Sequence, residues 1–135
     1  PYLYHPACQS HQSGIPMIRP LVMEYPKDPI AKTQNLSYML GDALLISPGF
    51  DRDEYELYLP EGRWQDIESK EVYEGMTFVH IENKAFADGG TSLRVFQKEG
   101  TSIPLFAQKE VLHVPAQLWK QEDLEFMIFQ KKDVD

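Results

Sequence analysis

From Asp42 onward the apolar residues alternate with polar ones, and this period of two constrains the fold more than any other feature of the chain. Tyr55, Leu57 and Leu59 alternate with Glu54, Glu56 and Tyr58, and Pro60-Glu61-Gly62 then supplies turn chemistry. Alternation sends one set of side chains to each face of a strand, so residues 54–59 read as a half-buried strand entering a tight turn. Residues 43–47, 64–67, 76–81, 93–97, 102–106, 111–114 and 124–129 are further short candidates, separated by turn signals such as Asn83 and Asp88-Gly89-Gly90. Short strands at this spacing predict an antiparallel β-sandwich. Leu, Ile, Val and Phe make up about a quarter of the 135 residues, enough for a packed core and above the level at which chains stay disordered.

Before Gly41 the pattern is different. Residues 1–13 read as a helix stopped at Gly14, with Pro6 either opening that helix or kinking it. Residues 15–25 are nearly all apolar and predict a strand buried on both faces, which Pro16 and Pro20 keep short or irregular. Pro26, Asp28 and Pro29 make a loop, and residues 31–40 predict a short amphipathic helix ending at Gly41. The expected fold is therefore mainly β: an αβα stub over residues 1–41 joined near Gly41 to an antiparallel β-sandwich over residues 42–135.

Thirteen Lys and Arg against 21 Asp and Glu give a net charge of −8, and no basic run exceeds Lys131-Lys132. This balance excludes the footprint that phosphate backbones or anionic membranes require, so neither nucleic acid nor a membrane is an expected partner. Cys8 is the sole cysteine, which rules out an internal disulfide and makes the cytoplasm the default compartment. No stretch reads as targeting or membrane-spanning sequence. The chain opens on Pro1 within a segment that already reads as structured, and it is expected to be a piece of a longer protein.

The chemistry-bearing residues weigh toward structure. Cys8 and His11 supply two metal ligands where tetrahedral sites need three or four, and His5, His80 and His113 lie without ligand spacing. As a nucleophile pair, Cys8 and His11 lack an orienting group. Asp51-Arg52-Asp53-Glu54 resembles the opening of a calcium loop but lacks its glycine at the sixth position and its glutamate at the twelfth, so a solvated loop is expected. Ser47 and Ser102 lack the flanks of a nucleophile elbow. Tyr55, Tyr58, Trp64, Tyr73 and Phe78 could stack on sugar rings, although most rings in a sandwich of this size are core.

Pro1-Tyr2-Leu3-Tyr4, the run from Gly14 to Leu21, Glu24-Tyr25-Pro26-Lys27-Asp28-Pro29, and the run from Tyr38 to Pro48 resemble, in order and spacing, the end of the catalytic barrel of glycoside hydrolase family 31. Tyr58-Leu59-Pro60-Glu61-Gly62-Arg63-Trp64, Val95-Phe96 and the run from Gly100 to Leu105 resemble that family's proximal C-terminal sandwich. The stretch from Met23 to Pro29 is similar to the bacterial α-xylosidase and α-glucosidase branch. Pro6, Gln97 and Lys98 depart from the family pattern.

The resemblance implies that residues 1–41 are a remnant of a (β/α)8 barrel. It also implies a parent enzyme that hydrolyses α-xylosides or α-glucosides with retention, using two aspartates. Both belong upstream in the family, the nucleophile within a Trp-x-Asp-Met pattern that does not occur here. By the same resemblance Glu24 and Asp28 would lie near the mouth of the parent's site, but a loop carboxylate and a turn former are the preferred readings. No catalytic, cofactor-binding or metal residue is assigned, no cofactor is expected, and the fragment alone is predicted to be inactive. Its expected partners are the rest of the parent chain and the parent's oligosaccharide substrate, with homo-oligomers through unpaired strand edges. The alternative reading is a stand-alone carbohydrate-binding module.

Overall fold

The computed structural model describes residues 1–49, 52–83, 93–106, 120 and 124–132. Helix α1 (Tyr4–Ser13) ends at Gly14, whose φ of 78° lets its N–H turn back to the carbonyl of Ser10. Pro6 sits in the first turn of α1, where backbone N–H groups have no helical partner, so its missing donor breaks no hydrogen bond.

Residues 15–25 do not form one strand buried on both faces. They make β1 (Ile18–Pro20) and then α2 (Leu21–Glu24). Pro20 ends the ladder because it carries no N–H, and in β1 only Arg19 is buried while Ile18 is exposed. Residues 31–40 likewise correct the helix expectation, giving one 3-10 turn (Ala31–Thr33) and then β2 (Tyr38–Leu40). The turn starts where the Asp28 carboxylate accepts the amides of Ile30 and Ala31. Pairing of β2 with its neighbours then buries Met39, an outcome that local periodicity does not report.

The remaining described strands are β3 (Leu44–Pro48), β4 (Glu54–Leu59), β5 (Arg63–Asp66), β6 (Val72–Glu74), β7 (Thr77–Glu82), β8 (Leu93–Lys98), β9 (Thr101–Phe106) and β10 (Leu124–Phe129). Every described ladder is antiparallel. The expected strand over residues 111–114 lies outside the described residues.

A six-stranded sheet, ordered β1-β2-β3-β8-β5-β6, lies between two smaller ones, the β4–β7 pair and the β9–β10 pair. Leu45, Phe96 and Trp64 face Tyr55, Leu57, Leu59 and Ile81 of β4–β7, whereas Leu44 and Ile46 face Ile103 and Met127 of β9–β10. The strand buried on both faces is therefore β3. Strands β2 and β3 pair across Gly41, so the sheet runs unbroken from the N-terminal segment into the sandwich. Gly41 is required there: its φ is 65°, and a Cβ would stand 2.5 Å from the hydroxyl of Tyr2.

Candidate functional site

The most elaborate polar cluster centres on Arg19, which is 2% exposed. The Arg19 Nε donates to the carbonyl of Pro16 at 2.6 Å, and its guanidinium reaches Glu24 at 2.8 Å, Asp42 at 2.5 Å and the side chain of Gln9 at 3.2 Å. One side chain thus ties together α1, β1, α2 and the β2–β3 turn. Burial works against the charge, but the carboxylates of Asp42 and Glu24 outweigh it and hold the guanidinium above its ordinary pKa. Both carboxylates keep contact with water, which lightens the desolvation that fully buried pairs suffer.

Glu24 and Asp28 are committed to structure. Glu24 closes the Arg19 cluster. Asp28 accepts the Tyr58 hydroxyl at 2.6 Å on one oxygen and two backbone amides on the other. Desolvation pushes the Asp28 carboxyl up, yet these three hydrogen bonds prevail and leave it below the ordinary value. Tyr58 is pushed up to about 12 by its own burial and by that carboxylate.

The aromatic residues do not form a platform. Tyr55, Tyr58 and Trp64 are buried, and the Trp64 indole N–H donates to the carbonyl of Pro60 at 2.8 Å. Tyr73 is half-buried, edge-on to Phe96 at 5.9 Å, and Phe78 is exposed beside Tyr58. Ser47 is fully buried, bonded to the carbonyl of Leu36 and the hydroxyl of Tyr55, while Ser102 lies exposed on β9. Cys8 and His11 stand one turn apart on α1, and among the described residues no three His, Cys, Asp or Glu side chains gather as metal ligands would. Just after β7 the Asn83 side chain donates to the carbonyls of Gly49 and Arg52. Asp51 is outside the described residues.

An open cleft of about 700 Å³ lies where β5, β8 and the Gly75 turn meet, lined among others by Tyr25, Glu61, Arg63, Met76, Lys98 and Glu99. The Lys98 ammonium sits 5.2 Å from the centre of the Tyr25 ring. The Tyr25 hydroxyl is buried and has no hydrogen-bond partner among the described residues; burial, and then the charges of Glu24 and Glu61, push its pKa far up. Met76 is 70% exposed and held at a φ of 57° by a turn in which the Gly75 amide donates to the carbonyl of Gly62 at 2.6 Å.

Sequence reasoning passed over Arg19, Tyr25 and Met76. Arg19 had left a signal, a charged residue inside an apolar run between two prolines, which is the pattern of a buried and paired cation. For Tyr25 and Met76 no local signal exists, because the cleft is assembled from five separate chain segments.

Residues 14–110 match the family described as glycosyl hydrolase family 31 C-terminal domain. Over 108 residues the chain is 35% identical to neutral alpha-glucosidase AB of Homo sapiens, which covers 77% of this chain and 11% of that protein. It is 34% identical over 119 residues to alpha-glucosidase 2 of Bacillus thermoamyloliquefaciens, covering 85% of this chain and 14% of that one. Among solved structures, the Flavobacterium johnsoniae dextranase complexed with glucose superposes with a TM-score of 0.73 at 28% identity, over 97% of this chain and 15% of the dextranase. The cycloalternan-forming enzyme of Listeria monocytogenes superposes with a TM-score of 0.68 at 38% identity, over 77% of this chain and 10% of that enzyme. The chain thus spans no more than about a seventh of the length of these relatives.

Proposed function

Because this chain belongs to glycosyl hydrolase family 31, through that family's C-terminal domain, we propose that it is the non-catalytic, barrel-supporting part of a retaining α-glycosidase acting on α-glucosidic bonds. The observation that carries this reading is the apolar surface of the N-terminal segment. Leu3, Tyr4, Ile15, Ile18, Val22 and Met23 remain between 37% and 59% exposed, all within the first 23 residues. Exposed apolar groups gathered in this way mark a docking surface, and the occupant with the right chemistry is the remainder of a (β/α)8 barrel. In this reading residues 1–41 come from the end of the barrel and residues 42–135 form the sandwich that braces it.

The Arg19 cluster explains how the brace works. Because it locks α1, β1 and α2 to the β2–β3 turn, a load on the docking segment passes directly to the central sheet. Retaining hydrolysis needs a nucleophile and an acid flanking one sugar, about 5 Å apart. Glu24 and Asp28 already serve other partners, so both catalytic groups are assigned to the upstream barrel. The named activities of the relatives favour a glucoside over a xyloside as the substrate.

The test joins the chain to its upstream coding segment and assays 4-nitrophenyl α-glucoside and α-xyloside. The longer protein should hydrolyse the glucoside at least about tenfold faster, a transition-state difference of about 1.4 kcal/mol. Introducing Ile18→Asp with Met23→Asp should loosen the assembly and lower turnover. Hydrolysis by the 135-residue chain alone, or full activity in the double variant, would overturn the proposal.

A further inference from the structure

We propose that the cleft at Tyr25 and Met76 is a binding site for a neutral oligosaccharide. The choice of α-glucans as probes rests on the reading above, but the site itself rests on four observations.

The first is size. At about 700 Å³ the cleft lies within the usual range of small-molecule sites, and a smaller depression of about 280 Å³ adjoins it, sharing Tyr25 and Glu61. Together they form a groove with room for more than one sugar ring.

The second is charge. Glu61, Glu74 and Glu99 stand against Arg63, Lys98, Lys131 and Lys132, so acceptors and donors line the walls in near balance, with one positive charge in excess. Arg63 is already engaged, its backbone amide donating to Glu99 and its guanidinium lying 5.2 Å from the centre of the Phe129 ring. The carboxylate of Glu61, the second oxygen of Glu99 and the ammonium of Lys98 can pair with vicinal hydroxyls, which donate and accept at once.

The third is Met76. A residue that is not glycine rarely adopts positive φ, and when it does the strain often marks a functional position. Here the strain holds a flexible thioether out in water at the lip of the cleft, where it can cover the apolar face of a pyranose. The fourth is Tyr25, which lines both depressions with the Lys98 ammonium over its ring and whose buried hydroxyl has no partner among the described residues. None of these residues is among the aromatic rings that the sequence offered for sugar stacking.

Titrating the isotopically labelled chain with isomaltotriose, while following backbone amides by NMR, tests the site. Saturable shifts are expected at Gly62, Met76 and Glu99, with a Kd on the order of 1 mM. Met76→Gly removes the thioether and suits the backbone better, so it should raise the thermal midpoint while weakening binding about fivefold. Glu61→Gln, at an exposed position, should weaken binding without altering the fold. The absence of saturable shifts at about 50 mM sugar, far above the expected Kd, would overturn the proposal. Equal shifts with sodium sulfate would overturn it by revealing an anion site, and protection of the cleft by the parent's own chain in the longer protein would do so by revealing a polypeptide contact. Hydrolysis by the parent does not enter this titration, so either reading can fail alone.

Discussion

Leu45 and Ile46 are neighbours in β3, yet they look into different cores. Leu45 faces β4–β7 among Trp64, Phe96, Tyr58, Leu57 and Leu59, all no more than 1% exposed. Ile46 faces β9–β10 among Ala43, Leu44 and Ile103, and the rest of that cluster is only partly buried: Tyr2, Tyr38, Leu40, Val95 and Met127. The first core is closed by β4–β7, with Leu21, Ala31 and Met39 of the N-terminal segment fully buried in it. Among the described residues the second is closed by side chains near both ends. A sheet covered on two sides need not be covered equally, and the thinner side depends on segments that fray first.

The sharpest way to break this distinction is a pair of truncations within one strand. Leu45→Ala should cost about 4 kcal/mol and Ile46→Ala about 2 kcal/mol, because the looser site can collapse around its cavity. Urea unfolding reads both, and equal losses would mean that the two cores are sealed alike. Next in size, Arg19→Ala should lose about 2 kcal/mol, below the cost of stranding fully buried partners because Glu24 and Asp42 can rehydrate. Limited proteolysis of that variant should cut first within residues 1–16, while an unchanged digestion pattern would remove Arg19 from the role of clasp.

Tyr2→Phe probes the thinner core more gently. The Tyr2 hydroxyl donates to the carbonyl of Leu40 at 2.6 Å and accepts the amide of Ala43 at 3.2 Å, so its loss should cost about 1 kcal/mol by thermal melting. The smallest effect lies on the outer face of β4–β7. There the His80 ring meets Glu56 at 2.7 Å and Glu54 at 3.4 Å, with Glu82 on the same strand. The hydrogen bond to Glu56 raises its pKa above the ordinary 6.5, slight desolvation opposes this, and the charges of Glu56, Glu54 and Glu82 add to it. A raised folded-state pKa stabilises fully below the unfolded value, and the contribution is lost as pH rises through the folded one. NMR titration of the ring should therefore give a midpoint above 6.5 that returns toward it in Glu56→Gln.

The strands after Gly41 were legible wherever one face met water. Residues 54–59 and 124–129 were read with the bounds of β4 and β10: in β4 exposed Glu54 and Glu56 alternate with buried Tyr55 and Leu57, while β10 is marked by its apolar and aromatic content instead. Strand β6 was missed: it has three residues and only Tyr73 is half-buried, too short for a period to show. The N-terminal segment misled for a different reason. Its apolar run suggested two-sided burial, but Ile15, Ile18, Val22 and Met23 are exposed, and within the run only Arg19 and Leu21 are buried.

Family and fold class were thus determined by sequence alone, since motif order and alternation are written along the chain, whereas Gly41 was read as the stop of a helix and proved to be the turn between β2 and β3. Tertiary structure decided which strand lies at the centre, which aromatics are core and where a cleft opens. Those outcomes depend on segments far apart in the chain. Trp64 became core because β4–β7 closes over it, and Tyr25, Met76 and Lys98 became neighbours only when the sheet brought them together.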